Sequence, residues 1–494
     1  MPPTTVDPAM ARDANSASYA IEIFAGLTRI NSDLQPEGCL ARDWKVLDNG
    51  RVYQFNLHHG LAFHNGRPLT AHDVRWSWER ALRPNTGSRS AFMTLGDVVG
   101  ARDVQNGTTD TLSGVRVPSN YQLEVRLTEP TAFFPAVIAQ GPGLVVDRAT
   151  VGEGNGWHLQ PNGSGPYRAS SITTGTASIL KRSPRFLPRQ SGPNTVRLTA
   201  FDPGEALLQY EHGQVDIVGV NGSNVDRFSD PREPHAPQLQ SRPSQSLTYV
   251  GFNTSIPPFD DHRARRALAQ SIERARINRV TLRGHQSEAR GILPPGIPGH
   301  QSRYPGLPFD LDAAYREIKQ SEHGPISEWP DLVLVTAGSG LLPADVTRAL
   351  VEPWQNHLGL NISVEKFDLA TFLDVIENLE NSATPRHMFL LSWVADFPDP
   401  FAFLDVLFRS DQANNYGRFS NHFVDVLLDR ARRQVEPRHR AQIYALAESR
   451  IVELAAIAPL THGISHQLVQ PWVARYPGQP VIREWLTDVT IAPH

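Results

Sequence analysis

Cysteine and lysine are both scarce in this chain. Cys39 is the one cysteine among 494 residues, which excludes a disulfide scaffold and a cysteine-rich metal site. It follows Glu37 and Gly38 without a preceding apolar run, so we expect a small buried residue and not a lipid-attachment site. Lysine supplies only four of the 47 basic residues, and a GC-rich gene is a sufficient explanation for that bias.

Long apolar runs are also missing. No stretch of 18 apolar residues occurs, so no membrane-spanning helix is predicted. The first ten residues, MPPTTVDPAM, lack the basic start and apolar core of a signal peptide. From the residues alone, the protein is either cytosolic or a mature chain whose export segment has been removed. The net charge of −4 gives no basic field for nucleic acid.

Several signature motifs of catalytic and phosphate-binding sites do not occur. No lysine follows a glycine, which excludes a Walker-type loop, and neither G-x-S-x-G nor H-E-x-x-H is present. The glycines of residues 152–156 follow no buried strand, so a loop is favoured over a dinucleotide site. His462 and His466 have the spacing of helical metal ligands. Nearby Pro459 and Gly463 favour extended chain, which separates them by about 13 Å, so we predict no metal site.

The first part of the chain predicts mixed α/β structure. Residues 51–57 alternate apolar and polar side chains, as a strand does. Thr70 and Asp73 form a short capping box for a helix that Pro84 ends. The buried stripe of this helix is predicted to contain Val74, Trp78, Ala81 and Leu82.

Strands and helices continue to alternate beyond residue 190, which indicates α/β architecture. A strand at 247–254 precedes a helix that Asp260 or Asp261 can cap. The other predicted strands are 195–201, 215–220, 331–337, 360–367 and 387–393.

Two aspartates stand in the stretch LSWVADFPDPFAFLDVLF, residues 391–408. They could form a catalytic pair, a metal site, a receptor for a cation or a capped turn. Asp399 precedes a proline in a run of turn-forming residues, so we assign it to a helix cap. Asp396 follows an apolar strand at its carboxyl end, where open α/β sheets bind ligands. Its aromatic surroundings suit an anchored amine.

Six blocks of the sequence resemble, in order, the extracellular solute-binding proteins of family 5, the peptide-, dipeptide- and nickel-binding receptors of ABC importers. The pattern is most similar to that of the oligopeptide-binding members. The blocks are residues 6–27, 40–82, 162–168, 252–274, 392–404 and 414–431.

This resemblance implies a two-lobed α/β periplasmic-binding-protein fold of the class II type, with a hinged ligand cleft and an inserted subdomain. Lobe I would contain residues 1–29, 155–252 and 472–494, and the subdomain residues 30–154. Lobe II would contain residues 253–471. The hinge is expected near GFNT, from residue 251, and VQPWV, from residue 469.

The same resemblance implies the site and the function. Asp396 matches the aspartate that pairs with the α-ammonium of a bound peptide, and Trp393 and Phe397 are expected to line the cleft. Asn414, Tyr416 and Arg418 fall where ligand-facing residues are possible, although a scaffold role fits each equally well. We expect a monomeric periplasmic or extracellular protein that delivers oligopeptides to ABC permease subunits. No catalysis, cofactor, metal or nucleic acid is expected.

Three alternatives stay open at this point. The same fold could bind another solute: a nickel chelate, an oligosaccharide, an opine-like compound or haem. A hydrolase using Asp396 and Asp399 is disfavoured because nucleophile motifs and metal spacings are absent. A sensor domain ranks lowest, since these residues contain no DNA-binding segment.

Overall fold

The structure is a computed structural model. It describes residues 3, 5–11, 14–152, 156–172, 177–187, 192–338, 344–379, 385–395, 397–410, 412–476 and 485–493. Asp396 lies outside the described residues.

The strands are named in chain order. They are β1 (Thr28–Ile30), β2 (Pro36–Gly38), β3 (Ala41–Leu47), β4 (Val52–Leu57), β5 (Val115–Ser119), β6 (Gln122–Arg126), β7 (Tyr167–Ser171), β8 (Ala177–Arg182), β9 (Thr195–Thr199), β10 (Ile217–Gly219), β11 (Leu239–Phe252), β12 (Ser287–Glu288), β13 (Leu332–Ala337), β14 (Ile362–Phe367), β15 (Met388–Val394), β16 (Ile457–Val469), β17 (Val473–Arg475) and β18 (Thr490–Ile491).

The α-helices are named in the same way. They are α1 (Ala14–Ile23), α2 (Ala71–Leu82), α3 (Ala91–Leu95), α4 (Ala101–Gln105), α5 (Phe134–Val137), α6 (Arg148–Val151), α7 (Pro203–Glu211), α8 (Gly222–Ser229), α9 (His262–Gln270), α10 (Arg274–Arg276), α11 (Leu311–Lys319), α12 (Ala344–Leu358), α13 (Leu369–Glu377), α14 (Leu404–Phe408), α15 (His422–Arg433) and α16 (Pro437–Glu453). Within the described ranges, none is long and apolar enough to cross a membrane.

The largest sheet has seven strands. Six follow the order β10-β16-β11-β15-β13-β14, and β12 also pairs with β16. β13 runs parallel to both β14 and β15, whereas β11 is antiparallel to β15 and β16. The parallel strands alternate with α12 and α13 along the chain, as the predicted α/β pattern requires.

The ladder between β11 and β16 is interrupted between Pro243 and Leu247. Gly463 lies opposite this break, and a Cβ at this position would stand 2.1 Å from the Ser246 Oγ. A side chain at residue 463 would therefore require the hydroxyl of Ser246 to move, which favours glycine at this close approach. His462 and His466 also lie on β16, which confirms the extended conformation predicted for them.

A separate antiparallel sheet of order β3-β4-β6-β5 lies in the early part of the chain. α2 packs on it through Val74, Trp78, Ala81 and Leu82, all buried as predicted. The Asp73 carboxylate accepts hydrogen bonds from the Thr70 backbone N–H at 2.8 Å and from its hydroxyl at 3.0 Å. The capping interaction read from the sequence is thus confirmed.

The sequence misplaced the start of one strand. β11 begins at Leu239, eight residues before the predicted start at residue 247. The added residues pair with β16, where Leu239 faces Leu468 and Pro243 faces Ile464. A partner more than 200 positions away leaves no local pattern, so periodicity could not reveal this extension.

A buried carboxyl joins the end of the chain to α1. Glu22 is 2% exposed and accepts a hydrogen bond from the Leu486 backbone N–H at 2.7 Å. Burial raises the pKa of Glu22 to about 8. The folded protein therefore keeps a proton here that the unfolded chain releases above about pH 4.5.

We expect Glu22→Gln to make the free energy of unfolding depend less on pH. Between about pH 4.5 and pH 8 the unfolded state binds fewer protons than the native state at this site, so the wild-type free energy of unfolding falls as pH rises. The free energy of unfolding of the variant should equal that of wild type near pH 4.5. At pH 7 it should be higher by about 2 kcal/mol, allowing for relaxation of the protein around the charge in wild type. Urea unfolding across this range measures the difference.

The matched control is Glu352→Gln, since the Glu352 side chain is 61% exposed on α12. Its unfolding curves should run parallel to those of wild type at every pH. Parallel curves for Glu22→Gln as well would contradict the role given to the buried carboxyl.

Candidate functional site

A cavity of about 810 Å³ lies where early and late parts of the chain meet. One wall comes from residues around α1, α3 and α4, with Gln140 to Pro142 beside them. The facing wall comes from the end of β15, from Phe401 and Val406, and from residues 412–414. A cavity of this volume is within the range of small-molecule sites.

The end of β15 brings a strand edge to the cavity wall. β15 pairs with β11 along its whole length, from Met388 to Val394, but with β13 only from Met388 to Leu390. Within the described residues, segment 391–394 thus has a strand neighbour on one edge only. Val394 and Ala395 line the cavity directly after it. An extended ligand could pair with such an edge through its backbone.

Three phenylalanines pack together beside the cavity, and two of them, Phe397 and Phe401, line it. The Phe133 ring lies 4.5 Å from the Phe401 ring and is stacked on Phe397 at 6.0 Å between centroids. The guanidinium of Arg440 stands 5.0 Å from the centre of Phe133. Phe133 belongs to the predicted subdomain and the other three residues to predicted lobe II, so this cluster bridges them.

Two ion pairs bridge the same parts of the chain. Arg432, on α15, pairs with Asp97, which also accepts a hydrogen bond from the Thr131 hydroxyl at 3.1 Å. Burial lowers the pKa of Arg432, but the Asp97 carboxylate outweighs it and holds that pKa above its ordinary value. Arg433 forms a two-bond pair with Glu129 at 2.8 and 2.9 Å.

Asp399 caps the 3-10 turn Pro400–Ala402, as predicted, by accepting a hydrogen bond from the Phe401 backbone N–H at 2.9 Å. Both of its oxygens also bind Arg440, each at 2.6 Å. The sequence reading did not find this buried pair. A carboxylate held in this way is poorly placed for the acid/base chemistry that the hydrolase alternative requires.

A second buried carboxyl continues this network. The Tyr444 hydroxyl donates to the Asp405 carboxylate at 2.9 Å, and Arg440 donates to the Tyr444 oxygen at 3.4 Å. Burial raises the pKa of Asp405 to about 7. The sequence around Asp405, FAFLD, does not predict a buried carboxyl in a hydrogen-bond network, because the partners of Asp405 come from α15 and α16.

The structure brings two of the predicted site residues to the cavity. Phe397 and Asn414 both line it. Asp396 is outside the described residues, but its neighbours Ala395 and Phe397 are both in the wall. The assignment of Asp396 as a ligand anchor therefore stays a prediction.

The other three predicted residues do not line this cavity. The half-buried Trp393 donates its indole N–H to the Ala402 carbonyl at 2.8 Å. Tyr416 is buried edge-on against Phe389, and burial raises its pKa to about 12. Arg418 donates to the Glu377 carbonyl at 3.0 Å from a left-handed backbone conformation, with φ of 55°.

Among the described residues of the lining, sequence reasoning missed the charged ones, which are Arg89, Asp97, Arg102 and Arg432. Each lies in a helix or loop whose local pattern indicates only an exposed polar surface. With 47 basic residues in the chain, an arginine carries little information about ligands until its neighbours are known.

The sequence matches a family model described as bacterial extracellular solute-binding proteins, family 5 middle, over residues 35–415. The oligopeptide-binding protein OppA of Bacillus subtilis is 24% identical over 476 residues, covering 93% of this chain and 85% of the relative. The probable deoxycholate-binding periplasmic protein YgiS of Escherichia coli is 26% identical over 486 residues, covering 96% and 89%.

Two solved structures illustrate the likeness in fold. Clavulanic acid biosynthesis oligopeptide binding protein 2 has a TM-score of 0.86 at 24% identity, covering 99% of this chain and 94% of that one. The unliganded open form of the murein tripeptide-binding protein MppA has a TM-score of 0.81 at 24% identity, covering 100% and 96%. These matches confirm the predicted fold class.

Proposed function

Because the chain belongs to the bacterial extracellular solute-binding proteins of family 5, we propose that it captures oligopeptides in the cavity of about 810 Å³ and delivers them to the permease of an ABC importer. The family consists of solute-binding proteins, and we propose that this member likewise performs no catalysis. The names of the relatives, several of them oligopeptide-binding proteins, support this ligand class.

One observation carries the proposal for a peptide ligand. Segment 391–394 has a strand neighbour on one edge only, within the described residues, and it ends at the cavity wall. A peptide has a backbone that can pair with this edge whatever its side chains are, which lets one site accept many sequences.

We propose the same lobes as the sequence suggests: residues 1–29, 155–252 and 472–494 for lobe I, 30–154 for its inserted subdomain, and 253–471 for lobe II. The aromatic cluster and the ion pairs from Asp97 and Glu129 support closure of the subdomain onto lobe II. The ladder break between Pro243 and Leu247 is a point where β11 can flex during this motion.

Within this cavity we propose Asp396 as the partner of the ligand's α-ammonium, with Phe397 and Asn414 beside it. Trp393, Tyr416 and Arg418 were predicted to stand near them, but their side chains contact Ala402, Phe389 and Glu377 outside the described lining. We further propose a monomer in the periplasm or at the outer face of the cell membrane, in agreement with the periplasmic relatives.

Native mass spectrometry of freshly purified protein tests the proposal. A peptide-binding protein should carry a heterogeneous envelope of masses that peptide sequencing resolves. A single discrete mass would favour the other solutes considered for this fold: a nickel chelate, an oligosaccharide, an opine-like compound or haem. Protein that purifies empty and gains no thermal stability from a peptide mixture would contradict peptide capture.

A further inference from the structure

The carboxyl of Asp405 has one oxygen without a donor. Asp405 is 1% exposed on α14, directly before Val406, which lines the cavity. Its Oδ2 accepts the hydrogen bond from the Tyr444 hydroxyl at 2.9 Å, whereas its Oδ1 is buried with no hydrogen-bond partner among the described residues. A missing donor costs a buried carboxylate more than it costs a neutral carboxyl. This arrangement therefore favours the protonated form of Asp405.

Four elements place charged or titratable groups around Asp405. They are the end of α14, helices α15 and α16, and the turn before α14, which carry respectively Arg409, Arg432, the pair Arg440 and Tyr444, and Asp399. Burial raises the pKa of Asp405 to about 7, against the lowering effect of the Tyr444 hydrogen bond and of the three guanidinium charges. The group therefore changes its charge close to neutral pH.

Two of these arginines have a buried Nε–H group without an acceptor in the described part of the chain, Arg432 and Arg440. Arg440 is fixed by its two bonds of 2.6 Å to Asp399. Arg432 has an ion pair with Asp97, and its side chain is 20% exposed, so it has more room to turn. A rotation of Arg432 toward α14 would give the Oδ1 of Asp405 the donor that it lacks.

We propose that Asp405 is a proton-controlled switch that decides whether Arg432 bridges lobe II to the subdomain. Protonated Asp405 leaves Arg432 on Asp97, and we call this the bridged arrangement. Ionised Asp405 draws Arg432 to itself and releases Asp97, so the bridge opens. The inference rests on the proposed function, because Arg432 and Asp97 both line the cavity that we propose for the peptide.

Acid favours the bridged arrangement. Beside a turned Arg432, the pKa of Asp405 is lower than in the bridged arrangement, where burial holds it at about 7. The bridged arrangement therefore binds more protons in the interval between these two values, and its population rises as the pH falls. A peptide that binds the bridged arrangement is held more tightly in mildly acidic solution than above neutral pH.

Distances between the subdomain and lobe II test the switch without any peptide. Spin labels are attached through Arg116→Cys on β5 and Leu446→Cys on α16, whose native side chains are 77% and 60% exposed. The native Cys39 is buried and stays unlabelled. Double electron–electron resonance should show two distances. The ratio of the longer to the shorter should rise about tenfold between about pH 5.5 and about pH 8.5, which corresponds to a pKa difference of about one unit.

Three variants in this labelled protein separate the switch from general effects of pH. Asp405→Asn should keep the shorter distance at every pH, because asparagine has the shape of the carboxyl without its charge. Arg432→Gln should show the longer distance throughout, because it removes the bridge to Asp97. Glu448→Gln is the matched control and should keep the wild-type pH dependence. Glu448 is also buried, with a pKa raised by burial to about 7, but it binds the backbone N–H groups of residues 292 and 293.

Thermal-shift titration with a tryptic casein digest tests the consequence for peptide capture. The digest concentration that gives half of the maximal shift should rise about tenfold more in wild type than in Asp405→Asn over the same pH interval. The variant corrects for the amino groups of the peptides themselves, which also lose protons in this interval.

The outcomes separate the switch from the proposed function. Wild-type distances that do not change with pH overturn the switch, and so does an unchanged pH dependence in Asp405→Asn. Distances that still depend on pH in Arg432→Gln overturn it as well, whether or not Asp405→Asn folds. None of these results affects peptide capture if the digest raises the melting temperature. A digest that stabilises the protein at neither pH contradicts peptide capture, while the distances still test the switch.

Discussion

Arg440→Met is expected to lower the free energy of unfolding by about 3–5 kcal/mol, because it leaves a buried carboxylate without its partner. Asp399 is 7% exposed and binds Arg440 through both oxygens at 2.6 Å. The same guanidinium packs over Phe133 and Tyr444, so the ring contacts weaken as well. Urea unfolding at one pH, with comparison of midpoints and slopes, measures the loss.

A second substitution distinguishes the ion pair from simple packing. Asp399→Asn keeps an acceptor for the Phe401 N–H, so the double variant Arg440→Met with Asp399→Asn should recover part of the lost stability. The control is Arg433→Met, which breaks a pair whose side chains are 52% and 42% exposed and should cost about 0–1 kcal/mol. If Arg440→Met lowers the free energy of unfolding by no more than Arg433→Met does, the buried pair is not needed for stability.

Asp396→Asn is expected to weaken the binding of peptides with a free amino terminus on the order of 100-fold, which corresponds to about 3 kcal/mol. The asparagine removes the charge that attracts the ammonium but keeps nearly the same shape. Ala395 and Phe397 line the cavity on either side of this position, so desolvation there should strengthen the pairing. Calorimetric titration with the parent peptide measures the change.

An N-acetylated version of the same peptide provides the discriminating comparison. It has no ammonium, so wild type and Asp396→Asn should bind it with similar affinity. The control variant Asp374→Asn changes an exposed aspartate on α13. Its affinity for both peptides should equal that of wild type. If Asp396→Asn binds the free peptide as tightly as wild type does, the anchor lies elsewhere in the cavity.

Local features of the sequence determined those parts of the structure that depend on near neighbours. The alternation of residues 51–57 gave β4, and the Thr70–Asp73 interaction marks the start of α2. Asp399 and Asp261 cap the segments that follow them. Each of these features rests on backbone geometry and hydrogen bonds within a few residues, so the pattern of side chains was sufficient.

The ordered blocks of sequence also determined the family, and with it the fold class, since the family model covers residues 35–415. They did not determine which residues surround the cavity. Of the five predicted site residues that the structure describes, Phe397 and Asn414 line it, while Trp393, Tyr416 and Arg418 do not.

Only the tertiary structure decided which distant groups meet. It placed Arg440 on Asp399, 41 residues away, and Arg432 on Asp97, 335 residues away. It also left Arg89 and Arg102 beside the cavity without an acidic partner in the described residues. The physical reason is that ion pairs and cavities depend on distance in space and on the exclusion of water, and neither quantity is encoded in local periodicity.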